Sequence, residues 1–223
     1  MAVQIWWMIH KDLVSEWRSQ RAWPAMILLG IVVAVVFSLQ IDLPFEYKRQ
    51  IAASLLWVAI FLAASLSLDR SFALEREDNC WQALLLYPIS PSSVYLAKLV
   101  VNIVWLAALQ CVLIPLFTVL TDVPLLSHPW AMAVVALLGN LAIASAGTLL
   151  GALATRIHKG ANLTVLLALP MAIPVVIAAA EATRLSAEGQ IDRSWWDWNG
   201  LLAVFAATFI VAGTVLMDFV AEE

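Results

Sequence analysis

The chain has 223 residues, 63% hydrophobic and 13% charged, with a formal net charge of -4 and a mean hydropathy of +0.91. A soluble domain is nearer about 45–50% apolar and about 25% charged, so lipid must be part of this protein's solvent. The small net charge and the absence of a long basic run argue against a nucleic-acid binder, and the length fits a single membrane domain, 1–223.

Residues 3–21 open the chain with a helical period. Ile5, Ile9, Leu13 and Trp17 recur every four residues with Trp6 beside them, while Lys11, Asp12, Ser15, Glu16, Arg18 and Ser19 are assigned to the opposite side. The pattern predicts an amphipathic helix lying in the headgroup plane. A bilayer core of about 30 Å needs about 20 apolar residues in a helix, and six stretches approach this: 23–41, 51–68, 99–120, 130–154, 163–180 and 200–220. The first of them lacks a small-residue cleavage site, so it is expected to be a span and not a cleavable leader. Helix is the right element, because an open strand edge finds no partner in lipid and the alternation of a barrel is missing. The predicted fold class is an all-α integral membrane protein of six transmembrane helices.

With the N-terminus inside, the inner segments carry Lys11, Arg18, Arg21, Arg70, Arg76, Lys98, Arg156 and Lys159, and the outer loops only Lys48, Arg49, Arg184 and Arg193. This excess of inner cations predicts cytoplasmic N- and C-termini. Most tryptophans fall near span ends, as in an aromatic belt; Trp57 and Trp105 are the exceptions. Cys80 and Cys111 then lie at the inner face and within the membrane, which excludes a disulfide between them.

Between the second and third spans, residues 69–93 hold an acidic cluster (Glu75, Glu77, Asp78), an apolar stretch and two prolines, with Ser92 as candidate cap of the next helix. Two roles are open for this segment. It is either a solvated loop with an amphipathic anchor, or a cytoplasmic coupling helix that passes the closure of an ATPase to the spans.

No G-x-x-x-x-G-K-S/T loop, G-x-S-x-G, H-E-x-x-H or C-x-x-C occurs, so no catalytic or nucleotide-binding machinery is expected. The middles of the six spans hold no Lys, Arg, Asp, Glu or His, unlike most ion-coupled carriers, so work is expected to come from a partner. His10, His128 and His158 are scattered over both sides and predict no metal site. Gly139, Gly147 and Gly151 are candidate helix-packing positions, and Pro115, Pro170 and Pro174 interrupt spans. Asn102, Gln110 and Asn140 are expected to hydrogen-bond neighbouring helices.

The pattern Leu74-Glu75-Arg76-Glu77-Asp78, through Trp81, Ala83-Leu84-Leu85-Leu86-Tyr87-Pro88, to Val94-Tyr95-Leu96-Ala97-Lys98 resembles the loop between the second and third spans of ABC-2-type permeases, and more closely the haem exporter B (CcmB) family of the cytochrome c maturation system. Chain length, the amphipathic start, six spans and the Leu166–Pro174 run extend the resemblance over nearly the whole chain; Asn79-Cys80 departs from the Asp-Gly-like turn common there. The resemblance implies a permease subunit of the bacterial inner membrane, dimeric, with two copies of a cytoplasmic ABC ATPase and a haem-handling membrane partner. ATP would bind the partner, haem would be handled by the complex, and this chain would bind no cofactor. Leu74, Glu75, Arg76, Glu77, Asp78, Trp81, Leu84, Leu85 and Pro88 would form the ATPase-coupling interface. Trp195, Trp196 and Trp198, in the expected loop before the last span, and His128, in the loop before the fourth, would offer a periplasmic docking surface. An ABC-2 exporter of lipid, polysaccharide or drug, and a non-transport membrane scaffold, stay open as rivals.

Overall fold

The computed structural model describes residues 2–19, 22–40, 45–71, 90–154 and 163–222. These form seven helices: α1 (Ala2–Ser19), α2 (Ala22–Gln40), α3 (Phe45–Ser71), α4 (Pro91–Thr121), α5 (Pro129–Ala154), α6 (Leu163–Glu188) and α7 (Arg193–Glu222). Among the described residues four segments are long and apolar enough to cross a membrane, namely Pro91–Thr121, Pro129–Leu153, Leu169–Glu188 and Arg193–Met217; α2 and α3 hold the shorter apolar segments Pro24–Ser38 and Ile51–Leu66.

Local chemistry moves several boundaries from their expected places. Ser90, and not Ser92, is the N-cap of α4: it is extended, with Pro91 at the first helical position, where a missing N–H costs nothing. Asp122 ends the same helix in the left-handed region at φ 54°. The fifth apolar stretch does not stop at residue 180 but continues helical to Glu188. Arg184 holds that charged end together, reaching Glu181 one turn back and Glu188 one turn on, each at 2.9 Å. Gly189 then turns the chain at φ +73°. The Gln190 amide donates to the Leu185 carbonyl at 2.9 Å and the Gly189 amide to Ser186 at 3.2 Å, a Schellman closure. The last helix begins at Arg193, so Trp195, Trp196 and Trp198 lie on its first turns and not in a loop. Asp192 causes this, its carboxylate accepting the Trp195 amide at 3.2 Å.

α5 is the central helix. Residues 142–152 are buried throughout, and the run is dominated by Ala, Gly, Ser and Thr, which let neighbouring backbones approach. α5 packs most extensively on α7, and α3 packs on both α2 and α6. Trp57, Tyr95, Phe117 and Trp195 are the large side chains sealed inside.

α1 lies against α4 and hardly touches α2. Its half-buried side is Met8, Ile9, Asp12 and Leu13, while Trp6 and Trp7 stand 65% and 68% exposed. Asp12 therefore sits on the protein-facing side and not with the outward polar residues. Three residues beyond Ile9 is about 300° around the helix, which returns Asp12 to the same stripe.

Candidate functional site

The described spans are joined by buried polar pins. Asn102 on α4 donates to the Thr148 hydroxyl on α5 at 2.9 Å, and Asn140 on α5 donates to the Gln110 carbonyl oxygen on α4 at 3.0 Å. Both pairs sum to the same residue number, the signature of one antiparallel register. All three predicted polar span residues thus bond across helices. Trp57 on α3, one of the two exceptions to the aromatic belt, donates through its indole to Thr183 on α6 at 2.8 Å. Its ring lies so close to Gly139 on α5 that a Cβ there would meet Cζ3 at 2.6 Å. Gly139 therefore serves packing within the chain, and Gly147 and Gly151 lie in the buried run of α5.

A denser constellation occupies the first turns of α4, next to the expected coupling segment. Tyr95 is fully buried. Its hydroxyl lies 3.1 Å from the Ser145 carbonyl on α5 and 3.1 Å from the Phe209 carbonyl on α7, and its ring lies against Gly213. Three residues on, Lys98 is 4% exposed and its Nζ lies 3.6 Å from the Asp12 carboxylate of α1. That carboxylate also faces Lys11 at 3.2 Å. At an effective dielectric near 20, charges at the Asp12–Lys98 spacing attract by about 5 kcal/mol before desolvation is subtracted. The sequence marks Lys98 by charge placement and motif but not its partner; the available signal is Asp12 lying on the apolar stripe of its helix.

The proposed coupling residues Leu74, Glu75, Arg76, Glu77, Asp78, Trp81, Leu84, Leu85 and Pro88 lie outside the described residues, as do Cys80 and His158.

At the opposite end, the α4–α5 and α6–α7 connections meet. His128 Nδ1 donates to the Ser186 carbonyl at 3.2 Å, and the Ser127 hydroxyl donates to the Ala187 carbonyl at 3.2 Å. Trp195 donates from its indole to the Ser186 hydroxyl at 2.8 Å. Its ring meets Trp130 and Trp196 edge-on, with centroids 5.6 and 4.8 Å apart. Three of the four predicted docking residues (His128, Trp195 and Trp196) thus converge on one end, but not as one surface. Trp195 is buried, Trp198 is half-buried against the core, and the exposed rings are Trp196 at 58% and Trp130 at 52%. Trp130 was absent from the expected set, because a lone tryptophan at a span end reads as belt.

A small cavity lined by Phe37, Ser38, Lys48, Ala52, Leu120 and Thr121 lies at this same end. Among the described residues no three of His, Cys, Asp and Glu gather into a metal-binding cluster. What these arrangements can do is mechanical: they fix helices to one another and hold two aromatic rings outward.

Comparison with known proteins follows the same lines. A profile of the family described as CcmB protein matches residues 3–221. The chain is similar to the Heme exporter protein B of Rhodobacter capsulatus, 31% identical over 182 residues, which cover 82% of this chain and 83% of that protein. It is similar to the protein of the same name in Paracoccus denitrificans, 31% identical over 172 residues covering 77% and 75%. The one in Pseudomonas aeruginosa is 27% identical over 183 residues covering 82% and 81%. An all-helical membrane protein with this end-to-end match has its place fixed: the chain belongs to the CcmB protein family.

Proposed function

We propose that the chain is the membrane permease subunit of an ABC-type complex that delivers haem for cytochrome c maturation in the bacterial inner membrane. The observation that carries this reading is the match, over most of the chain, to proteins named Heme exporter protein B. In this reading the chain crosses the membrane six times with both termini cytoplasmic, acts as a homodimer, and receives its energy from two copies of a separate ATPase at residues 69–93. Two polar pairs inside the spans join helix to helix, Asn102 with Thr148 and Asn140 with Gln110. That arrangement supports a bundle that transmits motion. It favours ATP-driven release of a haem-loaded chaperone over passage of haem through this subunit. The exposed rings of Trp130 and Trp196 are the surface on which the haem-handling membrane partner would dock.

Co-purification from native membranes tests the reading. Recovery of the chain with both an ATPase and a haem-handling protein is expected. Recovery with an ATPase alone would point to an exporter of another substrate, and recovery without an ATPase would overturn energisation in trans. Charge reversal at Glu75 and Glu77 should reduce ATPase recovery; unchanged recovery refutes that placement of the contact.

A further inference from the structure

We propose that the first three turns of α4 form a clamp that obliges α1, α5 and α7 to follow any displacement of this end of α4. The Tyr95 hydroxyl is its central pin and the Asp12–Lys98 pair is its link to α1. The proposal rests on the reading above, in which force reaches the bundle at the start of α4.

Tyr95, Lys98 and Asn102 follow the i, i+3, i+7 spacing that places side chains along one stripe of a helix. They are 0%, 4% and 1% exposed. Tyr95 and Asn102 reach the same face of α5, at Ser145 and Thr148. The Tyr95 hydroxyl has a single proton and two carbonyls at 3.1 Å, one on α5 and one on α7, so it holds those helices together as well as to α4. A bond to backbone carbonyls cannot be relaxed by a side-chain rotation in the partner helix. Lys98 adds α1, outside the bundle of spans, through the Asp12 carboxylate. By contrast, the described side-chain bond from α2 to α4, Ser38 to the Leu120 carbonyl at 2.7 Å, lies at the far end of α4. Displacing Ser90, which caps α4 one turn before Tyr95, would carry three neighbours while leaving α2 anchored elsewhere. Tyr95 and Lys98 are on this account positioning residues, and neither touches a substrate.

The test uses the assembled complex of this chain with its ATPase. It measures ATPase retained on purification, basal hydrolysis, and ATP consumed per haem delivered to cytochrome c. Tyr95→Phe keeps the ring and removes the pin. It should retain the ATPase and basal hydrolysis, while ATP consumed per haem rises about fivefold, the factor expected from losing one net buried hydrogen bond from the coupling. Lys98→Asp should uncouple likewise, and the exchanged pair Asp12→Lys with Lys98→Asp should bring the ratio back toward wild type. A wild-type ratio in Tyr95→Phe, or loss of assembly in step with loss of coupling in both variants, overturns the clamp. If the wild-type chain retains no ATPase, the underlying reading falls and the clamp with it. If it does retain one and the variants stay coupled, only the clamp falls.

Discussion

Gly139→Ala is the sharpest probe of how the central helix is packed. An added Cβ would overlap Cη2 of Trp57 and sit 2.6 Å from Cζ3 and 3.1 Å from Cζ2, against an ordinary carbon contact of about 3.5–4.0 Å. The ring or the backbone must therefore move by more than about 1 Å. Trp57 cannot swing away easily, because it is fully buried and its indole is tied to Thr183 at 2.8 Å. Overpacking of this kind costs about 1–3 kcal/mol. Trp57→Phe alone should cost about 1–3 kcal/mol, from the void and the lost interhelical bond. Together the two changes should cost less than their sum by about 1–2 kcal/mol, since the smaller ring vacates the volume the new methyl needs. Equilibrium unfolding in mixed micelles, run as a double-mutant cycle, measures this. Additivity within about 0.5 kcal/mol would show that Gly139 and Trp57 do not share the space, and would refute the assignment of Gly139 to packing within the chain. A contact between copies would instead shift the oligomer distribution regardless of residue 57.

Two further substitutions test the polar framework. Asn140→Leu should destabilise by about 1 kcal/mol because Gln110 loses its buried partner, and adding Gln110→Leu should recover part of it; the same unfolding assay would count a deeper loss in the double variant against the pairing. Gly189→Ala should cost about 1–2 kcal/mol, since an L-residue is strained at φ +73° and the Cβ would lie 3.0 Å from the His128 ring; thermal unfolding that does not move would refute the role of that turn.

Hydropathy was enough to find the helices, because lipid demands long apolar helical runs and little else produces them. Residues 130–154 were read as one span and Pro129–Ala154 is one helix. Helix ends were less legible, since a helix continues past the apolar window wherever its polar end is satisfied. The Glu181–Arg184–Glu188 ladder extends α6, and Asp192 lets α7 start before its apolar window. The polar span residues announced themselves because an amide in an apolar run must find a partner. The hydroxyl partners did not: Thr148 for Asn102, Thr183 for Trp57 and Ser186 for Trp195 are groups that a helix can satisfy on its own i−4 carbonyl. Ser186 does so, donating to Ala182 at 2.8 Å while accepting from Trp195. In the sequence Tyr95 stands only as one residue of the motif that ends at Lys98. No period or spacing reveals a hydroxyl that will bond two backbone carbonyls on helices 50 and 114 residues away.

The two ends of the bundle use the same physics for different mechanical outcomes. At the α4–α5 and α6–α7 end, Ser186 gathers its bonds through short connections: its carbonyl takes His128 and its hydroxyl takes Trp195. Motion there would distort turns of a few residues, including Gly189, close to the exposed Trp130 and Trp196. At the start of α4 the bonds run instead between separate helices, at Tyr95, Lys98 and Asn102. Helices can tilt as whole units while such bonds survive. On the proposed reading, a bundle fixed at one end and clamped helix to helix at the other would turn a small displacement of α4 into a tilt. On the function and clamp proposed above, the integrity of the clamp, and not the affinity of any pocket, is the quantity on which function should depend.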